Sequence, residues 1–121
     1  MPERGLDTYP TEPFAAELEQ AANNRRVGSR VLFENEFVRV WDITLERGER
    51  LPFHRHATSY FYRCESGGLV QVRSPDGAVA VYESPVDEVH FHEIGPADLV
   101  VHDLENVGET TVRFTTVELL S

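Results

Sequence analysis

The sequence predicts an all-β domain of antiparallel strands preceded by one short helix. Three observations predict it. From residue 31 onward the chain is a succession of runs that alternate in polarity or are rich in β-branched and aromatic residues: "VLFENEFVRVWDITL", "YFYRC", "LVQVRS", "AVAVYE", "VHFH", "LVVHDL" and "TTVRFTTVEL". Turn signals separate them, among them "ERGERLP", "ESGG", "SPDG", "ESPVDE", "IGPAD" and "NVGE", at roughly the 8–12-residue spacing of sandwiches and barrels. No helix-length pattern interrupts the runs, which excludes parallel βαβ units.

Taken in order, residues 1–10 are polar with two prolines and form an arm that is ordered only if it packs on something. From Thr11 to Asn23 the pattern turns helical: Thr11 suits a cap, Pro13 suits a first turn, and Phe14, Leu18, Ala21 and Ala22 recur at helical spacing. The chain thus divides into an arm and helix over 1–30 and a barrel over 31–121. Within the barrel, "SPDGA" at 74–78 closes a hairpin between "LVQVRS" and "AVAVYE".

With 121 residues the chain has room for one core. Its 21 acidic against 11 basic residues give a net charge of −10, and no basic patch is present to neutralise phosphates, so nucleic acid is not the expected partner. No apolar stretch is long enough to span a bilayer, and "MPERGLDTYPTEP" lacks the order of a signal peptide. A cytoplasmic protein is expected. The single Cys64 cannot form an internal disulfide and reads as a small buried hydrophobe.

Four of the five histidines lie in strand-like stretches, and strand parity decides what they can do. If residues 53–64 are extended, His54, His56, Tyr60, Tyr62 and Cys64 share one face, opposite Phe53, Arg55, Ala57, Ser59 and Phe61. Two imidazoles then reach toward one point, and His102 in a later strand is the natural third donor for a divalent metal. The bland alternative is a pair on a solvated face. A rival pair, His90 and His92, shares a strand with Val89 and Phe91; turning the apolar side inward leaves these histidines exposed or at a rim, with His92 as a conceivable fourth ligand.

The stretch Gly48, five residues, His54, one residue, His56, three residues, Tyr60, six residues, Gly67 resembles the first motif of the cupin superfamily, with Tyr60 where cupins place Glu. His102 and Asn106 fit the ending of the second motif, whose start is degraded: Gly95-Pro96 lies one residue too far upstream and Leu99 replaces a Gly. Over about residues 31–121 the chain is similar to small single-domain, RmlC-like cupins. The resemblance implies a double-stranded β-helix, or jelly-roll, barrel with His54, His56 and His102 as ligands of a divalent ion such as Fe, Mn, Ni or Zn. It also implies a homodimer, whose paired barrels cover edge strands.

A three-histidine site lacks the carboxylate that would offset the ion's charge, so it favours anionic ligands and acidifies bound water. Tyr60, a neutral phenol, is expected to hydrogen-bond a metal-bound water or substrate and is the candidate catalytic residue. Two functions stay open: an enzyme, dioxygenase-like as some three-histidine cupins are, and a non-catalytic or metal-free module that binds a small molecule. Of the remaining polar residues, Asn106 reads as a turn residue and Arg55 as solvated. Arg39 and Arg113 are placed either to reach an anion or to pair with carboxylates, and Trp41 belongs to a core or a subunit interface.

Overall fold

The computed structural model describes residues 3–120. The strands are β1 (Glu3–Thr8), β2 (Arg30–Glu34), β3 (Val38–Leu45), β4 (Arg50–His56), β5 (Tyr60–Ser66), β6 (Gly68–Arg73), β7 (Ala78–Ser84), β8 (Val89–His92), β9 (Val100–Asn106) and β10 (Val112–Leu119). One helical segment precedes β2: a 3-10 turn, Glu12–Phe14, the helix α1 (Ala15–Gln20), and a second 3-10 turn, Ala21–Asn23. Two antiparallel sheets face each other, one in the order β1-β7-β6-β9-β4 and the other in the order β2-β3-β10-β5-β8. The all-β expectation holds.

Between the sheets lies an apolar core of Ile43, Leu45, Leu51, Val70, Val112 and Phe114, with Cys64 fully buried among them. Each such side chain contributes about 1.5–3 kcal/mol relative to exposure. Trp41 belongs to the interior as well, its indole N–H donating to Glu118 at 2.6 Å. Two glycines of the first motif have separate structural reasons. Gly48, at φ +83°, makes the turn into β4 in the left-handed region. Gly67 lies so close to β7 that a Cβ there would sit 2.3 Å from the Ser84 carbonyl oxygen.

The helical segment packs on the outside of the first sheet, against β4. Phe53 points outward from β4 into the rings of Tyr9 and Phe14, at centroid distances of 6.4 and 5.7 Å. Arg50 lies over Phe14 and Phe53 and bonds both Glu17 and the buried Asp103, the latter at 2.7 Å. The same segment serves the backbone of β4, an edge strand whose outer groups would otherwise lack partners. Glu17 accepts the Phe53 N–H at 2.8 Å, Asn24 Nδ2 donates to the Phe53 carbonyl at 2.9 Å, and the Asn24 carbonyl accepts the Arg55 N–H at 2.7 Å. The segment therefore takes the place of a neighbouring strand.

Several local expectations are corrected. The arm does pack, and as a strand that was not anticipated: Met1 and Pro2 lie outside the described residues, and Glu3–Thr8 forms β1, paired with β7. Thr11 precedes the helical segment without a side-chain capping bond. The run 31–45 is two strands, because Asn35 Oδ1 accepts the N–H groups of Phe37 and Val38, at 2.8 and 2.9 Å, and folds the chain into a hairpin. Residues 53–64 are likewise two strands, broken between His56 and Tyr60. The "SPDG" turn forms as expected, with Gly77 at φ +96°. Edge strand β2 leaves Val31, Leu32 and Phe33 exposed.

Candidate metal centre

Register builds the centre. His54 on β4 is the Cα partner of His102 on β9, and His56 follows two residues on, so both β4 imidazoles point inward while Phe53 and Arg55 face the helical segment. The ligand-capable nitrogens of His54, His56 and His102 lie within 4.8 Å of one another. His56 Nε2 and His102 Nε2 are 2.9 Å apart. Bonds of about 2.0–2.1 Å to one ion need donors no more than about 4.2 Å apart, so His56 and His102 already fit and the widest spacing has to close by a few tenths of an ångström.

The donor set fits a divalent metal. His54 Nδ1 lies 2.8 Å from the Pro52 carbonyl, and since a carbonyl can only accept, that nitrogen carries the proton and Nε2 keeps its lone pair for an ion. His56 is held differently. Its buried Nδ1 has no hydrogen-bond partner among the described residues, and its ring lies flat on Tyr60 at 4.0 Å and 15°. Stacking thus orients the second imidazole where a carbonyl orients the first.

Burial holds all three imidazoles in the neutral form that binds metal. His54 and His56 are 2% and 3% exposed, and removal from water, which penalises the cation, pushes both below the ordinary histidine range. The same cause, reinforced by His54 and His92, lowers His102 to about 3. Burial also pushes the Tyr60 hydroxyl upward, so it remains a neutral phenol.

The centre lies in a cavity of about 310 Å³ between the sheets. All five histidines line it, together with Tyr60 and Tyr62, and no Asp or Glu is among its described lining residues. This reverses the parity expected for β8. Val89 and Phe91, each 58% exposed, face outward, and His90 and His92 face the cavity from beside Tyr62 and Tyr60, their Cα partners on β5. The reason is aromatic: His92 stacks on Tyr60 at 4.8 Å, and a ring wall on β5 replaces the apolar contact that Val89 and Phe91 would have made. His92 is exposed and is not one of the three clustered donors.

Residues around the centre sort as structural parts. Asp103, next to His102 but on the opposite face, is fully buried and accepts from Arg50 Nε, Arg73 Nη1 and the Arg73 backbone at 2.7–2.8 Å. Asn106 is not in the turn but closes β9, paired with Val70, and its side chain ties the turn that follows: its Nδ2 donates to the carbonyls of Leu45 and Thr110, and its Oδ1 accepts the Gly108 N–H. Arg39 pairs with Glu34 and Glu118, and Arg113 with Asp42. Arg55 is not simply solvated, since it is half-buried and its Nε has no hydrogen-bond partner among the described residues. Sequence reasoning missed Pro52, Glu17 and Asn24, whose roles depend on backbone groups that no side-chain pattern reveals.

No protein-family model matches the chain. No curated protein matches it either. Solved structures do. A cupin domain from Bordetella pertussis Tohama I superposes with a TM-score of 0.67 at 23% identity, covering 76% of this chain and 91% of that one. An RmlC-like cupin protein with a double-stranded β-helix fold from Methanocaldococcus jannaschii gives 0.55 at 18% identity, covering 78% and 84%. An oxalate decarboxylase gives 0.52 at 18% identity, with 69% of this chain matched to 22% of that enzyme. At these identities the likeness is one of fold. Two facing antiparallel sheets and these superpositions together show that the chain has the double-stranded β-helix fold of small cupin domains.

Proposed function

We propose that the protein holds a divalent metal ion on His54, His56 and His102 and receives a small anionic molecule beside it. The convergence of three neutral imidazoles, His54 and His56 buried and His102 half-buried, in a cavity with no carboxylate among its described lining residues carries this reading. When bound, the ion supplies a +2 charge and open coordination positions, which attract an anion and acidify water. The protein's own parts have separate tasks. Pro52 fixes the His54 tautomer, Tyr60 holds the His56 ring, and the apolar walls restrict water. The Tyr60 hydroxyl, neutral at pH 7, offers a hydrogen bond to the anion.

The oxygen-using reading and the non-catalytic one share this site, and turnover separates them. Metal-loaded protein is titrated with azide, oxalate and acetate by calorimetry, then assayed for oxygen uptake and decarboxylation with a panel of small carboxylates, thiols and diketones. Saturable anion binding that disappears with the metal is the expected result. Turnover of any compound makes the protein an enzyme. Anion binding that persists after chelation contradicts the metal-centred site.

A further inference from the structure

The three histidines occupy only one end of the cavity. On β4 and β9 the next inward pair beyond His54 and His102 is Leu51 and Leu104, and on β10 the inward positions run from Thr116, beside Tyr62, to Phe114, beside Cys64. Leu51, Leu104, Val72, Tyr82 and Phe114 all line the cavity beyond the imidazoles. Tyr62, Tyr82 and Leu104 pack against the apolar core with one side yet remain only partly buried. Their other side faces the cavity. Apolar side chains between two packed sheets are normally covered, and leaving them against water forgoes about 25 cal/mol for each Å².

We infer that the anion is amphipathic: a monocarboxylic acid whose carboxylate lies at the three-histidine end and whose apolar body covers Leu104, Val72 and Tyr82. The inference rests on the metal reading above and names its ligand class. The hydrocarbon side chains of Leu51, Leu104, Val72 and Phe114 follow the three histidines along the sheets, which fixes the orientation, while His90, bonded to Glu88 at 2.9 Å, stands beside Tyr62 on the β8 side. Size follows from volume. At about 310 Å³ the cavity stands at the small end of ligand pockets, which run from about 300 Å³ upward. Medium-chain and phenyl-substituted acids match this; acetate is too short to reach the apolar end, and long-chain fatty acids are too large.

The test is a binding series on metal-loaded protein, with metal content measured by elemental analysis before and after each titration. Acetate, butyrate, hexanoate, octanoate, 3-phenylpropionate and dodecanoate are compared by calorimetry, with hexanol as the uncharged control. Affinity is expected to rise about three- to fourfold for each buried methylene, to fall at dodecanoate, and to be weak for hexanol. Leu104→Phe and, as a second filling variant, Val72→Phe should flatten the dependence on chain length while keeping metal and acetate binding. Protein that takes up metal but binds acetate and hexanoate equally overturns the inference and leaves the metal reading standing. Protein that takes up no divalent metal overturns that reading, and this inference with it.

Discussion

Glu17 accepts the backbone N–H of Phe53 at 2.8 Å, one residue before His54, while the same carboxylate pairs with Arg50. A helix outside the barrel thereby holds the strand that carries two of the three clustered histidines. Replacing Glu17 with Ala strands the Phe53 N–H and removes one of two carboxylates from Arg50. Glu17→Ala is expected to cost about 2 kcal/mol by urea denaturation and to weaken metal affinity about tenfold in a chelator competition. Lost stability with unchanged metal affinity would show that the helix supports the fold alone.

The same contact sets a pH dependence. The Arg50 hydrogen bond holds the Glu17 carboxyl below its ordinary value of 4.5, outweighing burial, which acts upward. A group whose folded-state pKa is depressed contributes stability above its unfolded value and loses it as pH falls through the folded one. Wild type should therefore exceed Glu17→Gln in urea midpoint at pH 6 and converge on it as the pH falls from 4.5 through the lower folded-state value. A constant difference from pH 6 to pH 3 contradicts this assignment.

Tyr60 lies flat on His56 at 4.0 Å, which separates the ring's role from the hydroxyl's. Tyr60→Phe is expected to keep metal content near wild type while changing azide affinity, because the stacking face survives. Tyr60→Ala should lower metal affinity about tenfold. Tyr60→Glu lowers the site's charge by one unit and should weaken anions. Loss of metal in Tyr60→Phe would make the phenol oxygen a ligand.

Asn106 ties the turn after β9 to both β3 and the approach to β10 through three side-chain hydrogen bonds. Asn106→Ala leaves buried backbone groups unpaired and is expected to cost about 2–3 kcal/mol, read as a lower urea midpoint. Metal stoichiometry in the folded variant should stay at the wild-type value, since the side chain bonds backbone and not the imidazoles. A folded Asn106→Ala protein without metal would assign it a role in the centre.

Alternation made much of this fold legible. The parity of His54, His56, Tyr60 and Tyr62 survives the break between β4 and β5, because each residue sits on a strand that faces the same interior. Position 102 followed because β9 pairs with β4 and sets it opposite His54. What failed were the places where polar backbone chemistry or aromatic stacking outweighs hydrophobic patterning. Asn35 cuts one run into two strands through its carbonyl oxygen, and β8 turns histidines inward and Phe91 outward because Tyr60 and Tyr62 supply ring faces. The strand pairing of β1 could not be read from a polar segment whose partners lie 70 to 79 residues away, from Thr8 with Ala78 to Glu3 with Tyr82.

Metal stoichiometry in single-histidine variants tests the central claim most directly. Wild type and the variants His54→Ala, His56→Ala, His102→Ala, His90→Ala and His92→Ala are loaded with a divalent ion, desalted and measured by elemental analysis, with circular dichroism confirming the fold of each. Wild type, His90→Ala and His92→Ala should retain one ion per chain, and the other three variants should lose most of it. Retention by His54→Ala, His56→Ala and His102→Ala alike, or loss only in His90→Ala or His92→Ala, would contradict the three-histidine centre.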